Sequence, residues 1–348
     1  MLDKMVMLIL QSTRQSLFTS VLMAVLIGIT SCQQSRRLSI RAAHSTWIEE
    51  QFQTEVVNIG LERLGFQIEE PQVLDYPATY VAIANGELDF SVINYGVAHQ
   101  GFFDNANRTQ QLALVGVITP NGWGGYQIDQ KTAVQHRITH IHQLQDPALA
   151  KLFDSDGDGK ANLVGCNPGW ACEATIDHHI REYGLQDTVE HDKGQYVALM
   201  ADALTRYKQA QPILYFAYHP HWIAAVLKPG EDVLWLEVPY TSFPADQGEV
   251  TAQETTVAGK NVGFSRVEQR IVANKGFLAA HPRAKRWFDQ VEIPAQDMNA
   301  ESLRIQEGED SPEQIRRHAQ EWIEKNQAQF ERWLAIAKAE NRSRAPKP

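Results

Sequence analysis

The sequence predicts an α/β fold, because short apolar strands alternate with amphipathic helices along most of the chain. Apolar residues recur at helical spacing over residues 47–64, between strand-like segments at 39–43 and 66–68. A second helix at 77–84 leads to a strand at 90–93, and further strands are predicted at 112–118, 125–128, 213–216 and 233–238. This alternation favours α/β layers with largely parallel sheets.

Length and composition exclude several other classes of protein. The chain has 348 residues, of which 43% are hydrophobic and 21% charged, an ordinary balance for a globular protein of about two domains. Its net charge is -10, from 32 Lys and Arg against 42 Asp and Glu. An acidic chain without a basic cluster argues against a nucleic acid partner.

The N-terminal segment has the features of an export signal. Arg14 precedes an uncharged, mostly apolar run at residues 15–31, which ends in small residues directly before Cys32. A basic flank, a short apolar run and small residues predict a signal peptide over residues 1–31. A cysteine at that point resembles a bacterial lipobox, which implies lipidation of Cys32. Cleavage without lipid attachment is the alternative.

The remaining cysteines fit an exported protein. If Cys32 carries a lipid, Cys166 and Cys172 are left, and an oxidising compartment favours a disulfide between them. A metal or redox site of the CxxC type would need a different spacing.

A turn at residues 164–173 combines features that suit a small zwitterion. It opens a helix predicted over 172–183, whose free backbone N–H groups favour an anion. Trp170, directly before that helix, offers a π face to a cation. The alternative is a surface turn stapled by a disulfide, with a Trp that only packs.

Two further segments place aromatic residues where ligands bind in open α/β sheets. Tyr95 and His99 follow the strand at 90–93, and Tyr218 follows or ends the strand near 213–216. Ligands in such sheets collect at the carboxyl ends of strands.

These motifs resemble the glycine betaine/proline betaine-binding proteins of ABC import systems. The closest segments are residues 138–187, the turn at 165–173 and residues 227–233. The resemblance implies a type II periplasmic binding protein (Venus flytrap), with two α/β domains and hinge-crossing segments near 115–125 and 250–265. Domain 1 would comprise residues 32–120 and 260–348, and domain 2 would comprise 121–259.

The resemblance also implies the ligand site. Three aromatic rings would surround the ammonium group and three further groups would hold the carboxylate: the rings of Tyr95, Trp170 and Tyr218, the His99 side chain, and the backbone amides of Ala171 and Cys172. The enteric pattern has Trp at the positions of Tyr95 and Tyr218, and Gly at that of Ala171. Because Tyr has a weaker π face than Trp, the ligand is left open among glycine betaine, proline betaine and choline.

The implied function is that of an extracytoplasmic solute-binding protein that needs no cofactor. It would capture an osmoprotective betaine and deliver it to the permease and ATPase of an ABC importer, from a lipid-anchored position in the periplasm or at the cell surface. The rival interpretation is an enzyme that acts on a quaternary-ammonium or amino-acid-like substrate with His99 as base. A binding domain of a permease fusion is a third interpretation, against which the lipobox argues.

An Asp-rich loop adds one metal prediction. Carboxylates at positions 1, 3 and 5, Gly at 6 and Asn at 9 resemble a calcium loop made of Asp154, Asp156, Asp158, Lys160 and Asn162. The bidentate Glu is missing, because position 12 is Gly165. The expectation is a structural calcium ion, and the alternative is a loop of Asx turns.

Overall fold

The computed structural model describes residues 39–339. The predicted signal peptide at 1–31 and the predicted lipidation site Cys32 therefore lie outside the described residues. Within the described part of the chain, every helix is too short or too polar to cross a lipid bilayer.

The helices follow the predicted alternation with strands. In chain order they are α1 Ile48–Arg63, α2 Tyr76–Asn85, α3 Gln100–Ala106, α4 Gln130–His136, α5 Pro147–Ala150, α6 Ala171–Glu182, α7 Tyr196–Lys208, α8 Ile223–Val226, α9 Lys275–Ala280, α10 Pro282–Phe288, α11 Ala295–Gln306, α12 Pro312–Lys325 and α13 Gln327–Lys338. Short 3-10 helices lie at Gly96–His99, Asn107–Thr109, Ile141–Gln145, Lys151–Phe153 and Ala245–Gln247.

The strands are mostly short. They are β1 Ser39–Ile40, β2 Ala42–His44, β3 Gln67–Ile68, β4 Gln72–Val73, β5 Phe90–Asn94, β6 Leu112–Asp129, β7 Ala161–Val164, β8 Val189–Asp192, β9 Leu214–His219, β10 Val233–Leu236, β11 Thr256–Val257, β12 Lys260–Asn261 and β13 Val267–Asn274.

The main sheet is mixed rather than largely parallel. Its order is β4-β2-β5-β13-β6-β9-β7-β8, and β10 also pairs with β6. The pairs of β2 with β4 and β5, and of β7 with β8 and β9, are parallel as expected. At the centre, β6 pairs antiparallel with β9, β10 and β13, and β13 pairs antiparallel with β5. The α/β class is correct, but these long central strands were not expected to run antiparallel.

Strand β6 joins two segments that were predicted as separate strands. Residues 112–118 and 125–128 belong to one strand of 18 residues, although Pro120, Asn121 and Gly122 between them are typical turn residues. The strand continues through these residues because its pairing with β13 is irregular there. Gly116 and Asn121 have positive φ angles, and the register between β6 and β13 shifts beside each of them.

A capping box at Ser311 and Gln314 and the apolar stripe that follows predict one helix over residues 311–339, but the structure has two, α12 and α13. Its start is as predicted, since the Ser311 hydroxyl accepts from the Gln314 amide and the Gln314 side chain accepts from the Ser311 amide. The helix ends at Asn326, whose backbone and side-chain N–H groups both donate to the Trp322 carbonyl. The apolar stripe continues past this break, so periodicity could not reveal it.

Two clusters of buried apolar side chains pack against the sheet. One contains Phe52, Trp287 and Phe330, and the other contains Tyr126, Tyr215 and Trp222. The division into domains at 120/121 and 259/260 stays a prediction.

Candidate functional site

All six predicted ligand-site residues line one cleft. The cleft has a volume of about 880 Å³ including its open mouth, and its lining includes Tyr95, His99, Trp170, Ala171, Cys172 and Tyr218. These residues come from three separate stretches of chain that the sheet brings together. Their contact with a ligand stays a prediction.

Tyr95 is fixed by hydrogen bonds on its hydroxyl. It directly follows β5, and its O–H donates to Glu50 Oε1 at 2.9 Å while Gln269 Nε2 donates to it at 3.1 Å. Glu50 is buried and also accepts from the Ser45 amide and the Tyr76 hydroxyl. Burial raises the pKa of Glu50, although these hydrogen bonds oppose the shift. A fixed hydroxyl orients the Tyr95 ring toward the cleft.

Trp170 stands at the start of α6. The predicted disulfide between Cys166 and Cys172 is formed and closes the turn that carries this ring. Trp170 is the N-cap residue of α6 and makes no side-chain cap hydrogen bond. The first amides of the helix, at Ala171 and Cys172, have no intrahelical partner, and both residues line the cleft. A helix start of this kind can donate to an anion.

Tyr218 is the second-to-last residue of β9 and lies opposite Gly124 of β6. Its ring packs against Tyr196 at 5.4 Å and His221 at 4.3 Å between centroids. Neighbouring residues His219 and Trp123 also line the cleft. The sequence favours Trp123 as a packing residue, and its ring does pack against Trp235, tilted by 44° with centroids 4.2 Å apart.

His99 is a neutral hydrogen-bonding group. The imidazole is 2% exposed, and burial lowers its pKa to about 3. Its Nδ1 lies 3.2 Å from the Tyr80 hydroxyl, which accepts from Asn94 Nδ2 at 2.9 Å. Asn94 is oriented in turn, because its Oδ1 accepts from the Gly96 amide. Tyr80 can therefore donate to Nδ1, which leaves the proton on Nε2 for an acceptor in the cleft.

Sequence reasoning missed Trp47. It was predicted as the first apolar residue of a helix, and it is the residue directly before α1. Its ring centroid lies 4.1 Å from Tyr218, 4.3 Å from Trp170 and 5.5 Å from Tyr95. Trp47 thus contacts all three predicted cage rings, and no spacing in the sequence pointed to it.

The Asp-rich loop brings three carboxylates together. Asp154, Asp156 and Asp158 offer oxygen atoms within 4.8 Å of one another, and among residues 39–339 they form the one such group of three metal-type ligands. Asn162 Oδ1 accepts from the amide and hydroxyl of Ser155, and Lys160 Nζ donates to the Gln186 carbonyl. The side chains of Lys160 and Asn162 are therefore hydrogen-bonded to residues other than the three aspartates.

A structural calcium ion in this loop stays a prediction that melting experiments can test. Calcium is expected to raise the midpoint of thermal unfolding, and a chelator is expected to reverse the rise, because an ion that binds only the folded chain stabilises it. The response should vanish when Asp156 and Asp158 are both replaced by asparagine. A midpoint that is unchanged by calcium and chelator would contradict the prediction.

Similarity to solved structures supports the predicted fold. A choline-binding protein of an ABC transporter, solved in complex with choline, has a TM-score of 0.66 and 18% sequence identity to this chain. The match covers 85% of this chain and 91% of that one. This likeness confirms the periplasmic binding protein fold.

Similarity of sequence is higher and shows the family. A glycine betaine-binding periplasmic protein of Dickeya dadantii (strain 3937) is 43% identical over 302 residues, which cover 87% of this chain and 90% of that protein. A glycine betaine/proline betaine-binding periplasmic protein of Escherichia coli (strain K12) is 39% identical over 302 residues, covering 87% and 91%. Residues 39–325 match the family described as the substrate binding domain of ABC-type glycine betaine transport systems. The chain therefore belongs to this family of substrate-binding domains.

Proposed function

We propose that this protein captures glycine betaine, or a related zwitterion with a quaternary ammonium group, and delivers it to an ABC permease. One observation carries the proposal: Tyr95, Trp170 and Tyr218 line the same cleft as His99 and the first two residues of α6. Such a cleft offers electron-rich faces to a cation and hydrogen-bond donors to an anion.

The chemistry of the ligand explains why rings are needed. A quaternary ammonium has no N–H group, so hydrogen-bond acceptors cannot select it. Aromatic faces can, at about 0.5–2 kcal/mol for each ring when water is excluded. The carboxylate would accept from the amides of Ala171 and Cys172 and from the neutral His99 imidazole. A carboxylate at a helix N-terminus also gains from the helix dipole.

The names of the relatives agree with this class of ligand. Two relatives are named for glycine betaine, one of them also for proline betaine, and the structural neighbour holds choline. Tyrosines at positions 95 and 218 give weaker π faces than tryptophans, which keeps choline among the candidates.

The enzyme interpretation is not supported. The family consists of solute-binding domains, and the pKa of His99 lowered to about 3 makes its imidazole a poor general base at neutral pH. We expect no chemical change in a bound betaine.

The place of action follows from the same proposal. Two relatives of this chain are named as periplasmic proteins. We propose that this chain is exported too and is held at a membrane by a lipid on Cys32. Replacing Cys32 by alanine should then release the protein from the membrane fraction, and unchanged membrane association would contradict lipid anchoring.

A titration series tests the ligand class. The purified protein is titrated calorimetrically with glycine betaine, proline betaine, choline, carnitine and dimethylsulfoniopropionate, with unmethylated glycine as the matched control. We expect one molecule of at least one methylated compound to bind per chain, and we expect no binding of glycine. The ammonium group of glycine has N–H groups that stay hydrated in water, and it lacks the methyl groups that would contact the rings. Failure of all five, or equal binding of glycine, would contradict the proposal.

A further inference from the structure

The indole of Trp47 lies in the space that the three cage rings share. Its centroid is 4.1 Å from that of Tyr218 and 4.3 Å from that of Trp170, with interplanar angles of 49° and 30°. The Tyr95 centroid is 5.5 Å away. A cation engages a ring face within about 6 Å of the ring centroid. Trp47 is therefore inside that distance from all three rings at once.

We propose that Trp47 fills the aromatic cage in the ligand-free protein and that a quaternary ammonium group must displace its indole to bind. Rings with centroids 4.1–4.3 Å apart are in van der Waals contact, so no methylated ammonium fits between them. The inference rests on the proposed function, because it identifies a residue that competes with that ligand for the same ring faces.

The position of Trp47 in the chain suits a movable ring. It lies outside α1, in extended backbone with φ -72° and ψ 121°, and its side chain does not cap the helix. Its backbone is anchored instead, since its amide donates to Ser45 Oγ and its carbonyl accepts from the Glu50 amide. Rotation of the side chain therefore needs no movement of α1.

A second hollow shares Trp47 with the main cleft. It is smaller than the main cleft, at about 250 Å³ including open solvent. Trp47, Trp170 and Tyr218 border both hollows. The indole thus borders a second space, and its rotation into that hollow would open the ring faces to the larger one.

A fixed Trp47 would act in the opposite sense. If the indole stayed in place as a wall and the ligand bound beside it, removing the ring would remove a favourable contact and weaken binding. If the indole occupies the ligand's place, removing it abolishes a competing state. The measured affinity is reduced by the fraction of protein that is competent to bind, so loss of the competitor strengthens it.

The test compares Trp47→Ala and Trp47→Phe with the wild type, using glycine betaine and tetramethylammonium as ligands. We expect Trp47→Ala to bind both about tenfold more tightly, as when about one molecule in ten has an open cage. Trp47→Phe keeps a ring in the cage and should stay within about threefold of the wild type. Thermal melts of both variants control for loss of the fold.

Association kinetics test the wild type itself. In stopped-flow fluorescence the observed rate should level off at high ligand concentration, because departure of the indole becomes limiting, and it should rise linearly in Trp47→Ala. Weaker or unchanged binding by Trp47→Ala, or a linear rate in the wild type, would overturn the inference. If the wild type binds neither ligand, the proposed function fails and the inference falls with it.

Discussion

Replacing Trp170 by alanine is expected to weaken glycine betaine binding by about 30-fold or more, whereas His219→Ala should change it by less than about threefold. Both side chains line the cleft. Trp170 presents the largest ring of the predicted cage and is 8% exposed, so its face is already shielded from water. His219 contacts Trp123 at a centroid distance of 6.2 Å and belongs to no cage contact.

The loss at Trp170 should arise from the ring rather than from the turn that carries it. The disulfide between Cys166 and Cys172 holds the backbone independently of the side chain. Trp170→Phe, which keeps a smaller aromatic face, should therefore retain part of the affinity. Calorimetric titration gives the affinities, and circular dichroism melts check the fold of each variant. Equal losses for Trp170→Ala and His219→Ala would refute the cage assignment.

The sequence revealed those site residues whose chemistry is tied to a local signal. Tyr95 directly follows an apolar strand and Trp170 directly precedes a helix, so both residues could be predicted from the ends of these elements. The family resemblance then joined them with Tyr218. The contact of all three with one cleft follows from the sheet order, which no local pattern contains.

Trp47 and Tyr80 had no comparable signal. Both are apolar or aromatic members of helical patterns, and such residues usually pack in a core. Whether an aromatic residue of a helical pattern faces a cleft or the core depends on how its helix packs on the sheet. Local sequence does not contain this information. The same limit explains the error at Asn326, where the apolar stripe of α12 continues into α13 while the backbone does not.

His99 illustrates how the environment of a residue decides its chemistry. A histidine after a strand could serve as a base or as a hydrogen-bond donor, and the sequence alone leaves both roles open for His99. Burial lowers its pKa to about 3, and Tyr80 and Asn94 supply a chain of hydrogen bonds to Nδ1. The imidazole is therefore neutral near pH 7 and has its Nε2 proton available for a carboxylate.

This arrangement sets the expected pH dependence. Ligand affinity should stay flat between about pH 5 and 8, because the His99 imidazole does not titrate there. Stability behaves differently, since the unfolded chain protonates His99 near pH 6.5 and the folded chain only near pH 3. The unfolded state thus binds more protons within that window. The contribution of His99 to stability is full above it and is lost as the pH falls through it.

Replacing His99 by alanine is expected to weaken glycine betaine binding by about 10- to 100-fold, the range of one hydrogen bond to a charged group. The affinity for tetramethylammonium, which carries no carboxylate, should fall by less than about threefold, measured by the same titration or by competition.

Tyr80→Phe should cause a smaller loss of affinity, and only for glycine betaine, because the Nε2 tautomer of His99 is no longer favoured. Between pH 6.5 and 3 the His99→Ala variant should also lose less stability than the wild type. Equal losses for both ligands would mean that His99 shapes the aromatic cage instead of holding the carboxylate.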